Sequence, residues 1–341
     1  MKRFELRPNS LIMSCSGTIG KVAIVPDNIK KGIINQALLM LTPNDKLNNI
    51  FLKSMMESNF FQTLLSENST GAAIANVASV KVLKEIKIPL PPLQEQKRIV
   101  AKLDTLFEKI DKAIALHQKN MDEADVFMGS VLNDVFGEFK TTKNISLKDI
   151  TTKIGSGSTP RGGQKAYKTE GISLIRSMNV HDNGFRDKGL AFIDDEQAKK
   201  LDNVTVKEND VLLNITGASV ARCCIVDKNY LSARVNQHVS ILRLKDEIIP
   251  RFLHYYLVSP SIKAELLQSS SGGATREAIT KAMLEEFQVP LVSFYQQQKT
   301  VTYLDEISLH VNKLKQVQKE KMQSLVALKA SILDQAFRGK L

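Results

Sequence analysis

Two long segments of the chain, residues 94–136 and 296–337, contain no proline and carry apolar residues at helical spacing. Apolar steps of three and four positions form a narrow seam, which is typical of a helix that packs against another helix. Each predicted helix has about 42 residues and would be roughly 60 Å long. The predicted seam residues are Leu103, Leu106, Ile110, Leu304, Ile307, Val311, Leu314, Leu325, Leu328 and Ile332.

The simplest partner for each of these helices is the other one, packed antiparallel. Two independent amphipathic helices lying on globular domains are the alternative. Three polar residues, His117, Gln318 and Lys321, fall on predicted seam positions. Polar groups at such positions weaken a helix pair but help to fix its register.

The rest of the chain alternates short apolar runs with turn residues and short amphipathic segments. The runs at 211–215, 223–226, 239–244 and 287–291 predict strands bounded by Gly, Asn or Asp. Helices are predicted at 251–257 and 261–268, and also at 51–57 and 60–66. The pattern therefore predicts mixed α+β globules, each followed by a long helix.

An internal repeat with an offset of 201 residues organises the chain. Asn35-Gln36 aligns with Asn236-Gln237, and Leu103-Asp104 aligns with Leu304-Asp305. One register holds without a gap from about residue 22 to residue 136, which indicates a duplication. We therefore predict an internally duplicated α+β fold in four parts: residues 1–92, 93–140, 141–292 and 293–341.

The two copies differ in length. Residues 146–205 precede the shared part of the second globule, and the first globule has no equivalent of them. We therefore expect the first globule to lack the front of its domain. The chain would then be a fragment, a truncated gene product, or a form completed by a second copy or by a separately encoded segment.

The chain is basic, with a formal net charge of +11. The charge is +5 in residues 1–93, +3 in 146–290 and +4 in 291–341, against −2 in 94–140, so it is not confined to a tail. A basic balance of this kind is typical of proteins that bind a polyanion, most often nucleic acid. A generally basic proteome is the alternative explanation.

No catalytic or metal-binding signature is evident. The Gly-rich run at 155–163 has Pro160 where a dinucleotide loop needs its third glycine, and no phosphate-loop motif follows it. A nuclease-like set of Asp27, Glu85 and Lys87 is not repeated in the second copy. The three cysteines and five histidines form no zinc framework. We therefore expect no catalytic residues, no bound metal and no cofactor in this chain.

No segment approaches the ~20 apolar residues that a membrane helix needs. The first residues also lack the apolar core of a signal peptide. The sequence therefore predicts a cytoplasmic protein without a membrane partner.

Polar loops that contain Gly, Arg, Lys or Asn are the candidates for contacts with DNA. Glycine allows a close approach of the backbone, and Arg, Lys and Asn can meet phosphates or base edges. The alternative is that these are plain surface loops and that the repeated Asn-Gln pair holds the fold. The candidates are Arg161, Lys165, Lys168, Arg176, Ser177, Asn179, Asn236, Gln237, Thr275, Arg276, Asn35, Gln36 and Thr70.

Several motifs together carry a family resemblance. They are Thr216-Gly-Ala218, Asn236-Gln237, Ile-Pro-Leu-Pro-Pro-Leu-Gln-Glu-Gln at 88–96 and Leu-Asp-Gln-Ala-Phe-Arg-Gly-Lys-Leu at 333–341. With the long helix after each globule, the chain resembles the DNA-specificity subunit of a type I restriction-modification system. Residues 154–179 are similar to the front of that family's target-recognition domain.

The resemblance implies two target-recognition domains, each of which reads one half of a split site in double-stranded DNA. Two long antiparallel helices would act as a ruler between them. Two modification subunits carrying S-adenosylmethionine would bind the chain, and restriction subunits using ATP and Mg²⁺ would join through them. The shortened first domain puts in doubt whether one copy reads both halves. A non-catalytic coiled-coil adaptor with degenerate DNA-binding domains is the competing interpretation.

Overall fold

The computed structural model describes residues 4–16, 19–67, 80–160, 162–270 and 278–341. The chain divides into two compact units. Unit 1 contains Met1–Met121 and Lys315–Leu341, and unit 2 contains Asp122–Leu314. In the described part of the chain, no helix is long and apolar enough to cross a membrane.

Unit 1 contains a small antiparallel sheet and three short helices. The strands β1 (Leu11–Ser14), β2 (Val22–Ile24) and β3 (Leu38–Leu41) are ordered β2-β1-β3, and they are followed by α1 (Asn49–Glu57), α2 (Asn59–Glu67) and α3 (Val80–Glu85). Asn48 caps α1 because its side chain accepts hydrogen bonds from the backbone N–H of Ile50 and Phe51, both at 2.9 Å. The buried Met13, Phe51 and Met55 join the sheet to α1.

Unit 2 contains a larger mixed globule. Its strands are β4 (Asn144–Ser146), β5 (Thr151–Ser156), β6 (Ile172–Ile175), β7 (Val180–His181), β8 (Gly184–Phe185), β9 (Ala191–Ile193), β10 (Val211–Asn214), β11 (Cys223–Ile225), β12 (Arg234–Val235), β13 (Val239–Leu244) and β14 (Gln288–Pro290). Its short helices are α5 (Leu147–Ile150), α6 (Asp195–Lys199), α7 (Pro250–Val258), α8 (Pro260–Ser270) and α9 (Lys281–Glu286).

The central sheet of unit 2 has the order β11-β10-β13-β5 and carries a separate core on each face. Val211 and Leu213 point to one core, and Leu212, between them, points to the other. This alternation follows from the two-residue repeat of a strand. A second sheet, β12-β6-β9, packs its apolar residues into the core that contains Leu212.

The predicted duplication is visible in the sheets. Strands β1, β2 and β3 occupy the same order as β10, β11 and β13, at chain positions about 201 residues apart. The predicted internally duplicated α+β fold is therefore confirmed. The additional strands β5 to β9 of unit 2 come from residues 146–205, and no counterpart of them lies among the described residues of unit 1.

Two long helices complete the fold: α4 (Leu93–Gly137) with 45 residues and α10 (Phe294–Phe337) with 44 residues. Each helix contributes residues to both units. In unit 1 they run antiparallel, because Asp111 of α4 pairs with Lys329 of α10 and His117 bonds Gln318. In unit 2, Leu132 and Phe136 of α4 share a core with Leu304 of α10.

The seam between the helices differs in part from the predicted one. Leu103, Ile110 and Leu304 are buried, and Leu106, Ile307, Val311, Leu325 and Ile332 are half-buried. Leu314 and Leu328, in contrast, are 44% and 48% exposed, so these two assignments are wrong.

The physical reason is the phase of the heptad on α10. The buried residue 304 is followed by half-buried positions at 308, 311, 315, 318, 322, 325, 329 and 332, so each step of four precedes a step of three. The prediction took the steps in the opposite order because leucine stands one residue earlier at two of these places. Lys329 takes the place assigned to Leu328, with its ammonium 4.9 Å from the centre of the Phe107 ring. Lys321 is exposed and Met322 lies inward.

The contribution of this seam to the free energy of unfolding can be measured with two leucines on α10. Leu304→Ala removes a fully buried side chain and should lower the free energy of unfolding by about 2–5 kcal/mol. Leu314→Ala should change it by less than about 1 kcal/mol, because that side chain is largely in solvent. Urea denaturation of both variants measures the difference. Equal losses would place Leu314 in the seam after all.

Candidate nucleic-acid interface

Several strands of unit 2 end or begin at the same end of its sheets. Asn214 pairs with Val239 and Ser156 with Ser240, which puts the end of β10, the end of β5 and the start of β13 together. Strand β6 ends beside β12, because Ile175 pairs with Val235. The loops that follow these strands therefore converge. We call them the loop cluster: residues 157–160, 162–168, 176–189, 215–219 and 236–238.

The first loop of the cluster depends on Gly157. Its backbone N–H donates to the carbonyl of Asn236 over 3.1 Å, and a Cβ at this position would lie 1.8 Å from the carbonyl oxygen of Val235. Only glycine allows this close approach. Gly162 and Gly163 continue the loop at φ of +97° and +58°, a conformation that favours glycine. The exposed Lys165 follows directly.

A chain of polar side chains crosses the loop cluster. The hydroxyl of Thr159 donates to Oε1 of Gln237, whose Nε2 lies 3.0 Å from Nε2 of His238. The other ring nitrogen of His238 bonds the hydroxyl of Thr216. Gln237 is exposed and His238 is half-buried. Amide and imidazole groups both donate and accept hydrogen bonds, so this chain is chemically suited to reading base edges.

Arg176 and Asn179 build the second loop of the cluster. The guanidinium of Arg176 lies 5.2 Å from the centre of the Tyr167 ring and donates to the carbonyl of Gly189. Asn179 is fully buried: its Oδ1 accepts from the backbone N–H of Arg176 at 3.0 Å, and its Nδ2 donates to the carbonyl of Arg186 at 2.8 Å. Asn179 therefore shapes this loop from inside.

A polar cluster of the half-buried Asp182 and Lys263 and the buried His254 lies at the β7–β8 hairpin of this loop. One oxygen of Asp182 accepts from the backbone N–H of Cys223 at 3.1 Å, and the other pairs with Lys263. Nε2 of His254 lies 3.3 Å from the carbonyl oxygen of Cys223, and burial lowers the pKa of His254 to about 4. His254 is therefore neutral at physiological pH.

Burial also raises the pKa of Cys224 to about 12 and holds the pKa of Cys223 well above its usual value. Both thiols thus stay protonated and pack as small apolar groups in the two cores of unit 2. Within the described ranges, no group of three or more His, Cys, Asp or Glu side chains is placed to hold a metal ion.

The predicted DNA contacts fall into several groups. Asn179 and Asn236 are buried, so they are removed from the candidate set. Lys165 and Gln237 are exposed in the loop cluster, and Arg176 and Ser177 are half-buried there. Lys168 forms an ion pair with Asp194 at 3.2 Å. Four of the predicted residues lie outside the described residues: Arg161, Thr275, Arg276 and Thr70.

In each repeated Asn-Gln pair, the asparagine has a structural role. Oδ1 of Asn236 accepts from the backbone N–H of His238 at 3.0 Å, and Oδ1 of Asn35 accepts from that of Ala37 at 3.1 Å. Both asparagines therefore form the same turn before a strand, which explains the repetition. Gln36 of unit 1 is exposed in the same way as Gln237.

Three residues of the loop cluster were not predicted from the sequence. Thr159 and His238 belong to the row of hydrogen-bonded polar side chains, and Arg186 lies in the second loop. His238 directly follows the repeated pair, and this position was the only available signal for it. Arg186 is exposed and its backbone N–H donates to the carbonyl of Asn179 at 2.9 Å. Its place in the cluster depends on how the hairpin folds back, which the sequence pattern does not specify.

Taken with its duplicated sheets and its loop cluster, the chain has the architecture of a DNA-recognition protein that pairs globules with long helices. The family described as the type I restriction modification DNA specificity domain matches residues 2–120 and 140–323. The chain therefore belongs to this family. The class of function of the chain is therefore DNA specificity in a type I restriction-modification system. The alternative, a non-catalytic coiled-coil adaptor, is not favoured.

Individual proteins agree with the family match. The chain is 27% identical over 337 residues to the type I restriction enzyme EcoBI specificity subunit of Escherichia coli, covering 91% of this chain and 69% of that protein. It is 22% identical to the EcoKI specificity subunit of Escherichia coli K12, covering 89% of this chain and 68% of that protein.

Two solved structures share the fold. One belongs to a study of complex assembly and conformational transition of the type I R-M system, with a TM-score of 0.70 and 24% identity over 99% of this chain and 83% of that chain. The other is the HsdS subunit from Thermoanaerobacter tengcongensis, with a TM-score of 0.51 and 23% identity over 99% of this chain and 82% of that chain.

The loop cluster can be tested through two nearby glycines, Gly157 in its first loop and Gly155 in the preceding strand β5. Gly157→Ala should lower the free energy of unfolding by about 1–3 kcal/mol, because the new Cβ collides with the backbone at Val235. Gly155→Ala is the matched control, since nothing lies within 4 Å of a Cβ there. Urea unfolding compares the two variants. A Gly157→Ala protein as stable as the control would contradict the described approach of the loop.

Proposed function

We propose that this chain reads a split target in double-stranded DNA for a type I restriction-modification system, with the loop cluster of unit 2 as its base-reading surface. The observation that best supports this proposal is that glycine-containing loops converge on the row of hydrogen-bonded polar side chains that begins at Thr159 and ends at Thr216. Strand ends supply rigid support for these loops, and rigid support is what a reading surface needs to hold side chains in register with base edges.

The charge and chemistry of the loop cluster support this proposal. Exposed basic residues, Lys165, Arg186 and Lys188, lie in the same loop cluster as these polar side chains. Lys and Arg neutralise phosphates and position a protein on the duplex, whereas amide and imidazole groups can distinguish base pairs in the major groove. We therefore assign phosphate contacts to Lys165 and base contacts to Gln237 and His238.

We infer that the chain has no catalytic centre of its own. S-adenosylmethionine, ATP and Mg²⁺ would belong to partner subunits in the cytoplasm. The family match and the inert, protonated state of the buried cysteines support this inference. Methyl transfer to DNA by the purified chain, without any partner subunit, would contradict it.

The long helices provide a surface for those partners. Large apolar side chains remain exposed on α10, among them Tyr295 at 75%, Leu309 at 67% and Leu328 at 48%. Exposed apolar side chains on these helices are available for contacts with another protein. We propose that two modification subunits dock on the helices, that restriction subunits join through them, and that a second copy of the chain is a further possible partner.

DNA binding should separate the roles of individual residues. Lys165→Ala should weaken binding to all sequences and reduce the slope of log affinity against log salt by about 1. Gln237→Ala should cost about 1–3 kcal/mol and relax one position of the target. Lys207→Ala is the matched control, because this exposed lysine precedes β10 at the opposite end from the loop cluster.

Titrations of fluorescent duplexes at several salt concentrations, in complex with the modification partner, measure these effects. If Lys165→Ala and Lys207→Ala behave alike and Gln237→Ala keeps full specificity, the reading surface lies elsewhere. Binding that shows neither salt dependence nor sequence preference would instead favour the interpretation of the chain as a non-catalytic adaptor.

The ruler role of the helices predicts an effect on spacing alone. Four residues, about one helical turn, inserted near Gln118 of α4 and near Val317 of α10 should lengthen the spacer of the target and leave its bases unchanged. The same insertion at Thr141, in the turn after α4, is the control and should not change the spacer. Methylome sequencing of cells that express the complex reads both quantities. An unaltered spacer would count against the ruler.

A further inference from the structure

The backbone of Arg186, in the second loop of the loop cluster, is fixed on both sides by one buried residue. Its N–H donates to the carbonyl of Asn179 at 2.9 Å, and its carbonyl accepts from Nδ2 of Asn179 at 2.8 Å. Asn179 is fully buried, whereas Arg186 is exposed. The interior of the globule therefore holds the Cα of Arg186 in place while its side chain points into solvent.

The guanidinium of Arg186 is available to a ligand from outside. Its Nη2 donates to Oδ1 of Asn183 over a long 3.4 Å, and no ion pair forms at Arg186 within the residues that the structure describes. An arginine side chain carries five N–H donors in a planar fork. Lys168 and Lys263, in contrast, are engaged in ion pairs with aspartates.

The path of the chain into Arg186 depends on the β7–β8 hairpin. His181 pairs with Gly184, which closes the turn formed by Asp182 and Asn183. Gly184 has a φ of +125°, a conformation that favours glycine. A shift of this turn would therefore move Arg186, which follows the hairpin directly.

Asp182 anchors the turn to the rest of the globule. Its Oδ1 accepts from the backbone N–H of Cys223 at 3.1 Å, on the strand β11 at the outer side of the central sheet. Its Oδ2 pairs with the ammonium of Lys263 on α8, whose side chain is only 25% exposed. A hydrogen-bonded ion pair that is partly shielded from water is stronger than one in full solvent. One carboxylate thus joins the hairpin to both a strand and a helix.

We propose that Arg186 is a specificity-determining residue that donates two hydrogen bonds to O6 and N7 of a guanine in the major groove, with Asp182 and Lys263 as its positioning residues. This inference rests on the proposed function of the loop cluster. The fork of a guanidinium matches these two acceptors, and an arginine–guanine pair is the commonest specific contact of proteins with a base. A contact of this kind needs a side chain whose origin is held in place.

A phosphate contact is the alternative role for an exposed arginine. Phosphates are reached by flexible cations and carry no sequence information, so such a contact does not need a fixed backbone. The two hydrogen bonds to Asn179 and the anchoring of the hairpin therefore favour a base over a phosphate.

Duplexes with 7-deazaguanine test the base contact, because this base lacks the N7 acceptor. Each guanine of the target found by methylome sequencing is replaced in turn, and binding is titrated with the full chain in complex with its modification partner. The unaltered chain should lose affinity by about fivefold or more at one guanine. Arg186→Ala should bind both duplexes equally. The control variant Lys207→Ala, at an exposed lysine far from the loop cluster, should keep the loss.

The outcomes separate this inference from the proposed function. Sequence-selective binding in which no guanine shows the loss, or in which Arg186→Ala retains it, would overturn the inference and leave the DNA-reading function standing. If Arg186→Ala instead weakens binding to all duplexes and reduces the slope of log affinity against log salt by about 1, the residue contacts a phosphate and the inference is wrong. Binding by the unaltered chain without any sequence preference would contradict both.

Coupling between residues tests the positioning role. Asp182→Ala should abolish the loss at the same guanine, and it should have no further effect on this discrimination in the Arg186→Ala background. A merely structural role would weaken binding by the same factor in both backgrounds. Glu196→Ala is the matched control, because it breaks an exposed ion pair on α6 and should leave the discrimination unchanged.

Two variants of Lys263 test the ion pair without removing Asp182. Lys263→Met should reduce the discrimination against 7-deazaguanine, although the bond from Asp182 to Cys223 can still form. Lys263→Arg keeps the positive charge and should retain most of the discrimination. Circular dichroism and urea unfolding check that each variant is folded. Full discrimination by both Asp182→Ala and Lys263→Met would overturn the positioning role.

Discussion

A buried glutamine at the start of each long helix joins that helix to its globule. Gln96 accepts from the backbone N–H of Asn48 and donates to the carbonyls of Lys46 and Pro91, all within 2.9 Å. Gln297 makes the same three contacts in unit 2, to Ile249, Glu247 and Val292. An unpaired buried polar group costs about 1–3 kcal/mol, so each amide holds the turn before the short helices in one position against the long helix. The sheets and their loops depend on this connection.

Because the fold is duplicated, the two units can be compared with each other within one molecule. The same strand order, glutamine contact and asparagine turn recur in both units. In unit 2, the strand–helix–strand segment at 144–156 also pairs with the central sheet and contributes Leu147, Ile150 and Ile154 to one core.

The candidate site was predictable as a set of loops and not as a set of side chains. Glycine-rich segments between strands indicate surface loops, and Lys165 and Gln237 are indeed exposed. Asn179 and Asn236 satisfy backbone groups inside those loops, which a polar residue type alone does not reveal. His238 became a candidate only because β10 and β13 bring it against Thr216.

The sequence alone determined the duplication, the two long helices and the α+β class, because these depend on local periodicity and on repeated residues along the chain. Tertiary structure decided the phase of the helical seam. Leu314 and Leu328 stand next to the positions that lie inward, and the sequence pattern does not show which of two neighbouring positions is buried. It also decided which polar groups of the loop cluster point outward. These properties depend on contacts between residues far apart in the chain, and no local pattern encodes such contacts.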